Sequence, residues 1–251
     1  MDFKEIIVEE KERITWITLN RPAKMNALTQ LMVAELVDAL MAVSQDEACD
    51  VVIVKGEGKA WSAGVDLAVF QEIKVEKGYK MHEDGIKVLE LLSKMPQASI
   101  AMLNGHCFTG AMEFMLGFDM VFAADSAKIG DTHAKWGIPP KWGMTPRLCH
   151  QVGLKKAKEL SFTAEAIDGI EAARIGLVNH SVPLEELQAL VERKAALIIG
   201  NSSQVIAAEK ELYHFHSTHT LEEGLQFEQD YEMKVSDKAD TLKDFKNKLH
   251  S

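Results

Sequence analysis

Short runs of apolar residues, each long enough for one buried strand, constrain this sequence more than any other feature. They occupy residues 51–54, 99–103 and 120–124. Continuous runs of this kind, without the polar alternation of a half-exposed strand, are typical of a parallel sheet that is covered on both faces. Segments with helical periodicity separate the runs. The alternation of strand and helix therefore predicts an α/β fold built from parallel βαβ units.

The remaining segments predict a hairpin at the start of the chain and helices at its end. Strands over residues 6–9 and 13–19 flank a polar turn, and Thr29 is a predicted helix cap. Further helical patterns cover residues 78–95, 145–160, 168–176 and 184–199. Long helical stretches continue to the C-terminus. We expect an α/β core over residues 1–195 and a helical region over residues 196–251.

Composition excludes several classes of protein. The chain has 28 Lys and Arg residues against 38 Asp and Glu, a formal net charge of −10, so a nucleic-acid partner is not expected. The 3 cysteines lie far apart without a CxxC motif, which predicts no disulfide framework, no zinc knuckle and a reduced, cytoplasmic protein. No secretory signal is recognised. The most apolar window, residues 105–124, contains His106, Glu113 and Asp119, so no membrane span is predicted.

Two glycine-bearing loops follow two of the predicted buried strands, at residues 60–67 and 104–113. Ligands of parallel sheets bind beyond the carboxyl ends of the strands, and glycine lets a backbone N–H approach a ligand closely. The small residues Ala63, Gly64 and Gly110 therefore indicate a site with backbone donors, or else tight packing of helix against strand. Neither loop has the spacing of a phosphate-binding or dinucleotide-binding motif, and no GxSxG elbow is present.

Several short motifs follow one another in order along nearly the whole chain. They are Leu19-Asn20-Arg21-Pro22, Asn26-Ala27-Leu28, residues 60–67, Asn104-Gly105, Gly110, Glu113, Asp119, Gly137-Ile138-Pro139-Pro140 and residues 172–178. As an ordered set they resemble the enoyl-CoA hydratase/isomerase family, also called the crotonase superfamily. The resemblance implies a spiral of β-β-α repeats as the core, with a C-terminal helical trimerisation region. It also implies a homotrimer or a dimer of trimers.

The same resemblance implies a site for an acyl-CoA thioester. The backbone N–H groups of Val65 and Gly110 are expected to hold the thioester oxygen. Preorganised donors of this kind stabilise the negative charge of an enolate, and losing one costs on the order of 3 kcal/mol. Residues expected along the coenzyme A groove are Met25, Ala27, Ala63, Asp66 and Leu67. Because coenzyme A belongs to the substrate, no separate cofactor and no metal are expected.

Glu113 and His133 are the candidate acid–base residues. Glu113 follows Gly110 by just under one helical turn, so its carboxylate returns to the side of the bound thioester. The alternative is a first-turn glutamate that only complements the helix dipole. His133 lies where hydratases of the family carry a second glutamate. A neutral imidazole can accept or donate a proton near pH 7, so His133 either replaces that glutamate or simply hydrogen-bonds Asp131 or backbone.

The role of the bulky residues and the reaction itself remain open from the sequence. Trp136 and Trp142 either shape an acyl pocket or pack in the interior, and Lys248 either reaches the coenzyme A phosphates of a neighbouring subunit or is solvated. Hydration of a 2-enoyl-CoA is the first hypothesis. The alternatives are isomerisation of a double bond, hydrolysis of a C–C or thioester bond, and binding of acyl-CoA without catalysis.

Overall fold

The computed structural model describes residues 2–67 and 75–232. In chain order the strands are β1 (Ile6–Lys11), β2 (Ile14–Leu19), β3 (Val51–Gly56), β4 (Ala60–Ser62), β5 (Ala98–Leu103), β6 (His106–Phe108), β7 (Met120–Ala124), β8 (Lys128–Gly130), β9 (Ile167–Asp168) and β10 (His180–Val182). The helices are α1 (Gln30–Ser44), α2 (Val75–Lys94), α3 (Gly110–Met115), α4 (His133–Trp136), α5 (Met144–Val152), α6 (Leu154–Thr163), α7 (Gly169–Arg174), α8 (Leu184–Ile199), α9 (Ser203–His216) and α10 (Leu221–Asp230).

The larger sheet has six strands in the order β1-β2-β3-β5-β7-β10. The pair β1 and β2 is antiparallel, which confirms the predicted hairpin, and the neighbours from β2 to β10 are parallel. Every residue of β5 is buried, as the continuous apolar pattern requires. Helix α1 begins after Thr29, whose hydroxyl accepts a hydrogen bond from the N–H of Met32, as predicted for its cap. The α/β class is therefore confirmed.

A second sheet, in the order β4-β6-β8-β9, was not predicted. Its strands have only two or three residues each, too few for a periodic pattern to identify. Strand β4 opens the first glycine loop and β6 lies within the second, and the two strands pair in parallel. The second sheet therefore brings both glycine loops side by side.

The helical expectations need two corrections. The pattern over residues 145–160 forms two helices, because Gly153 has a left-handed φ of 80° and ends α5. The pattern over residues 168–176 contains the end of β9 and only a short α7. Helix α8 spans Leu184–Ile199, and the division of the chain after residue 195 stays a prediction. Beyond it, α9 and α10 are helical as expected, whereas residues 233–251, with Lys248, lie outside the described residues.

None of the helices within residues 2–67 and 75–232 combines the length and the apolar character that a membrane-spanning helix needs.

Candidate active site

A single pocket, of about 990 Å³, brings the predicted site residues together. Its walls include Met25, Ala27, Ala63, Val65, Asp66, Leu67, Gly110, Glu113, His133, Trp136 and Trp142. Residues that the sequence did not single out also line it, namely Ala23, Lys24, Met81, His82, Thr109, Ile138, Pro139 and Lys141. Segments separated by about a hundred positions thus meet at one cavity, which fits the expectation that ligands bind beyond strand ends.

The first glycine loop is fixed by a short parallel bridge to the segment before α1. The N–H of Leu28 donates to the carbonyl of Gly64 at 2.8 Å, and the N–H of Asp66 donates to the carbonyl of Leu28 at 2.9 Å. These two hydrogen bonds engage the carbonyl of Gly64 and the N–H of Asp66, but not the N–H of Val65. Within the described part of the chain, the Val65 N–H donates no hydrogen bond, although the residue lines the pocket.

Glycine is required where the two loops touch. Gly64 has a φ of 91°, and a Cβ on it would lie 2.6 Å from both the carbonyl oxygen of Phe108 and Oγ1 of Thr109. A Cβ on Gly110 would lie 3.1 Å from Cγ2 of Val65. Gly110 begins α3, and across residues 2–67 and 75–232 its N–H has no acceptor. Two unpaired backbone donors, from Val65 and Gly110, therefore stand on adjacent loops at the pocket.

Glu113 is buried, with 2% of its surface exposed, on a helix whose residues are all buried. Its Oε1 accepts hydrogen bonds from the N–H groups of Trp142, at 2.7 Å, and Met144, at 3.3 Å. Its Oε2 lies 3.4 Å from Nε2 of His133. The carboxylate is thus oriented by main-chain donors on one oxygen and directs the other towards the imidazole, unlike a solvated first-turn glutamate.

His133 contacts two carboxylates, one at each ring nitrogen. Its Nδ1 lies 2.6 Å from Oδ1 of Asp131, and its Nε2 faces Glu113. Burial alone would lower the pKa of His133, but hydrogen bonds to Asp131 and Glu113 and their negative charges raise it to about 9. The surroundings of His133 therefore favour the protonated form of the ring. From the sequence, only the neutral imidazole was considered, because the sequence does not reveal that carboxylates flank both nitrogens.

From the sequence, Asp131 was considered only as a hydrogen-bond partner of His133. Burial would raise the pKa of Asp131, but hydrogen bonds from His133 and Ser161 lower it instead. The Oγ of Ser161 donates to Oδ2 of Asp131 at 2.6 Å. The two interpretations of His133 are therefore compatible, since the same ring bonds Asp131 and contacts Glu113.

Arg147, on α5, is a further charged group beside the site that the sequence analysis missed. Burial lowers the pKa of Arg147, and the negative charge of Glu113 opposes that effect. Its Nη1 donates to the carbonyl of Trp142 at 3.1 Å, next to the N–H that binds Glu113. Nothing in the local sequence pattern of an amphipathic helix distinguishes this arginine from a solvated one.

The two tryptophans occupy different positions in the pocket. Trp142 is buried and stacks on Phe114 with ring centroids 4.7 Å apart, while its Nε1 donates to the carbonyl of His82. A Cβ on Gly85 would lie 2.3 Å from the Trp142 ring, so glycine in α2 makes room for it. Trp136 is 56% exposed and lies at the rim. The Trp142 side chain is therefore held in place in the pocket wall, whereas the Trp136 side chain is exposed at the edge of the pocket.

The segment that carries Met25 and Ala27 is attached firmly to the first loop. Arg21 donates to the carbonyl of Ala27 at 2.6 Å and pairs with Asp66 at 3.2 Å. Asn26, which is fully buried, donates to the carbonyl oxygens of the segment that precedes and begins β4. Arg21 and Asn26 belong to motifs recognised in the sequence, but their structural role depends on contacts that only the fold creates.

Within the part of the chain that the structure describes, no group of three or more His, Cys, Asp or Glu side chains is arranged to hold a metal ion.

Comparison with known proteins places this pocket in a family. The family model described as enoyl-CoA hydratase/isomerase matches residues 9–250. The crotonyl-CoA hydratase of Syntrophomonas wolfei is 36% identical over 84% of this chain and 81% of that protein. The crystal structure of an enoyl-CoA hydratase from Bacillus anthracis has a TM-score of 0.93 and 32% identity, covering 98% of this chain and 97% of the other.

Two further relatives bear on the pocket. The hydroxycinnamoyl-CoA hydratase-lyase of Pseudomonas fluorescens is 32% identical over 83% of this chain and 77% of that protein. A Thermobifida fusca protein solved in complex with CoA has a TM-score of 0.82 and 27% identity, with 90% of each chain covered. The α/β fold and the pocket define an enzyme of the acyl-CoA-processing class. The chain belongs to the enoyl-CoA hydratase/isomerase family, which confirms the resemblance recognised in its sequence.

Proposed function

We propose that this protein is an enoyl-CoA hydratase-type enzyme that adds water reversibly to the double bond of a 2-enoyl-CoA thioester. Hydratases are prominent among its relatives, at identities of 30% and above over most of the chain. The observation that carries the proposal is the buried Glu113 carboxylate, which contacts His133 at a pocket bordered by two unpaired backbone donors.

The two backbone donors are assigned to the thioester oxygen. Addition of water at C3 moves the electrons of the double bond towards the carbonyl, and negative charge develops on its oxygen. The N–H groups of Val65 and Gly110 hold that charge in a site whose donors need no reorganisation. Because neither N–H has an acceptor within the described residues, no existing hydrogen bond must be broken when the oxygen arrives.

Glu113 and His133 are assigned to the proton transfers. Atoms 3.4 Å apart can share one water molecule, so a water at Oε2 of Glu113 is also within reach of Nε2 of His133. Glu113 accepts a proton as the hydroxyl adds to C3. The imidazolium of His133 delivers a proton to C2 of the enolate. Glu113 then returns its proton to the neutral imidazole across their contact, and both groups regain their starting states.

The rest of the pocket is assigned to binding. The proposed border of the coenzyme A groove consists of residues that line the pocket on the first loop and on the segment attached to it, namely Met25, Ala27, Ala63, Asp66 and Leu67. Trp142 and Trp136 are proposed to border the acyl group. We also propose a homotrimer or a dimer of trimers, assembled through a helical oligomerisation region over residues 196–251. In that assembly Lys248 reaches the coenzyme A phosphates bound by a neighbouring subunit. The proposal further includes a cytoplasmic location and no separate cofactor.

The experiment is to incubate the protein with 2-enoyl-CoA thioesters of several chain lengths and to follow the absorbance of the conjugated thioester. Hydration predicts loss of that absorbance and a product heavier by one water molecule in mass spectrometry. Unchanged absorbance across the chain lengths would contradict the proposal. If CoA esters bind without turnover, the protein is instead a non-catalytic acyl-CoA-binding member.

His133 is the observation that favours a second candidate, hydrolysis of a C–C or thioester bond. For attack of water on a carbonyl, Glu113 would take the proton of the water and the imidazolium of His133, between two carboxylates, would donate a proton to the leaving group. The mass of the product separates the candidates, because hydrolysis yields two fragments. Isomerisation, which needs only one carboxylate, leaves the mass unchanged.

A further inference from the structure

We propose that Asp131 and Ser161 are positioning residues that hold His133 as an imidazolium, with its Nε2–H directed at Glu113, so that the enzyme donates its proton from a cation. This inference rests on the proposed function and deepens it, because it specifies the protonation state of His133, the residue that replaces the second glutamate as the acid. It concerns two residues that do not line the pocket and are remote from each other in sequence.

The contacts of Asp131 define its role. The residue is 2% exposed, and both of its oxygens are engaged. Oδ1 accepts from the N–H of His133 at 3.2 Å and contacts Nδ1 of the same residue at 2.6 Å. Oδ2 accepts from the hydroxyl of Ser161 on α6 at 2.6 Å. With three donors on two oxygens, the carboxylate has one preferred orientation, and that orientation fixes the imidazole ring.

When Asp131 and Glu113 are both ionised, the two ring contacts of His133 fit only one charge state of the ring. When Nδ1–H donates to Asp131, a neutral ring presents a lone pair at Nε2. That lone pair would face Oε2 of Glu113 at 3.4 Å, which is repulsive. A protonated ring instead presents one N–H to each carboxylate. The buried pair of carboxylates therefore selects the imidazolium, and Asp131 supplies the charge on the side that does not react.

The charged groups around the ring come from three elements. Asp131 precedes His133 in the chain, Glu113 comes from α3, and Arg147 on α5 acts on Glu113 rather than on the ring. Burial opposes the charge on His133, but hydrogen bonds with Asp131 and Glu113 and their negative charges raise its pKa to about 9. After His133 has donated its proton, the Nδ1–H bond to Asp131 remains, so the ring keeps its orientation and Nε2 is ready to be reprotonated by Glu113.

The experiment is an NMR titration of the histidine side chains in the whole protein, with His133→Gln used to identify the signal of His133. We expect His133 to titrate at about pH 9 in the parent. In Asp131→Asn, which keeps an acceptor of the same shape but removes the charge, the midpoint falls by about one pH unit or more. In Ser161→Ala the fall is in the same direction and smaller.

Asp50→Asn is the matched control, because Asp50 is also buried and pairs with Arg13, and neither residue lines the pocket. It should leave the His133 midpoint unchanged even if it destabilises the fold. If Asp131→Asn does not fold, Ser161→Ala still tests the proposal. An unchanged His133 midpoint in the folded variants, or a parent midpoint near the ordinary histidine value of 6.5, overturns it.

Kinetics provide the readout that a merely structural role would not change. Where the parent turns over an enoyl-CoA, the alkaline limb of its pH–kcat profile should move to lower pH in Asp131→Asn, in parallel with the NMR midpoint. If the parent shows no turnover, the proposed function is wrong while the titration still tests the positioning. If the parent turns over but neither limb nor midpoint moves, the positioning is wrong and the proposed function stands.

Discussion

Glu113 and His133 lie 3.4 Å apart at the same pocket, yet different parts of the chain orient them. Glu113 projects from a fully buried helix, and backbone N–H groups of Trp142 and Met144 bind its carboxylate. His133 begins a helix of 4 residues, and the side chains of Asp131 and Ser161 fix it. The carboxylate position is therefore a property of the main chain, whereas the imidazole position depends on two replaceable side chains.

This comparison predicts that the largest loss of activity comes from the main-chain-oriented residue itself. Glu113→Gln keeps the volume and an acceptor for the N–H of Trp142 but removes the group that takes a proton from water. We expect kcat to fall by about 10²–10⁴-fold. Steady-state kinetics with an enoyl-CoA, together with a thermal unfolding midpoint, separates loss of chemistry from loss of folding.

Glu35→Gln is the matched control for that variant. Glu35 is also buried, and its carboxylate accepts hydrogen bonds from the N–H groups of Lys4, Glu5 and Ile6 outside the pocket. We expect a stability loss of about 1–3 kcal/mol with kcat retained. Equal kcat in Glu113→Gln and the parent would remove Glu113 from the chemistry and break the comparison.

The next largest effect is expected at the loop contact that presents the backbone donors. Gly64→Ala places a Cβ against the carbonyl of Phe108 at a φ of 91°, so the two loops must separate. Displacing one donor from the thioester oxygen lowers kcat/KM by roughly 100-fold. The measurement is kcat/KM at several chain lengths. Gly137→Ala is the control, since it has a φ of 64° with no atom within 4 Å of a Cβ.

The outcome at Gly64 sharpens the comparison in a specific way. If Gly137→Ala loses stability but not activity, a positive φ alone does not explain the Gly64 result. If Gly64→Ala retains the parental kcat/KM, the contact between the loops is not needed to present the donors of Val65 and Gly110.

A smaller effect is expected on the side that depends on side chains. His133→Gln removes the cation but retains a hydrogen-bonding group, and water can partly supply the proton. We expect kcat to fall by about 10–100-fold, less than for Glu113→Gln, and to lose its alkaline limb. The pH–kcat profile measures both. A fall larger than that of Glu113→Gln would reverse the ranking of the two residues.

The sequence predicted the strands that local residue patterns determine and missed the strands that depend on contacts between distant segments. Short, continuous apolar runs predicted β3, β5 and β7, because every residue of β5 and all but one residue of β3 and of β7 are buried. Strands β4 and β8 were missed because each has only 3 residues and becomes a strand only by pairing with its neighbours in the sheet. Local patterns thus predicted the large sheet, and tertiary pairing determined the small one.

The site divides in the same way. The resemblance to the family indicated Val65, Gly110 and Glu113 as site residues, and all three line the pocket. No local pattern indicated that Trp142, 29 positions after Glu113, would donate its N–H to that carboxylate. The sequence also gave no sign that the surroundings of His133 favour its protonated form. Its pKa depends on groups whose approach only the folded chain creates.

The smallest effect concerns the pH dependence of stability, and it tests the imidazolium without any substrate. The folded pKa of His133, about 9, lies above its ordinary value of 6.5. Its contribution to the free energy of unfolding is therefore fully present below about pH 6.5 and is lost as pH rises through about 9. The lowered pKa of Asp131 acts only in acid, where its contribution disappears as pH falls. Denaturant unfolding of the parent and His133→Gln should converge as pH rises across that window. A difference in stability between the parent and His133→Gln that does not change with pH would mean that the ring is not held as a cation. Asp131 and Ser161 would then fix the position of His133 but not its charge.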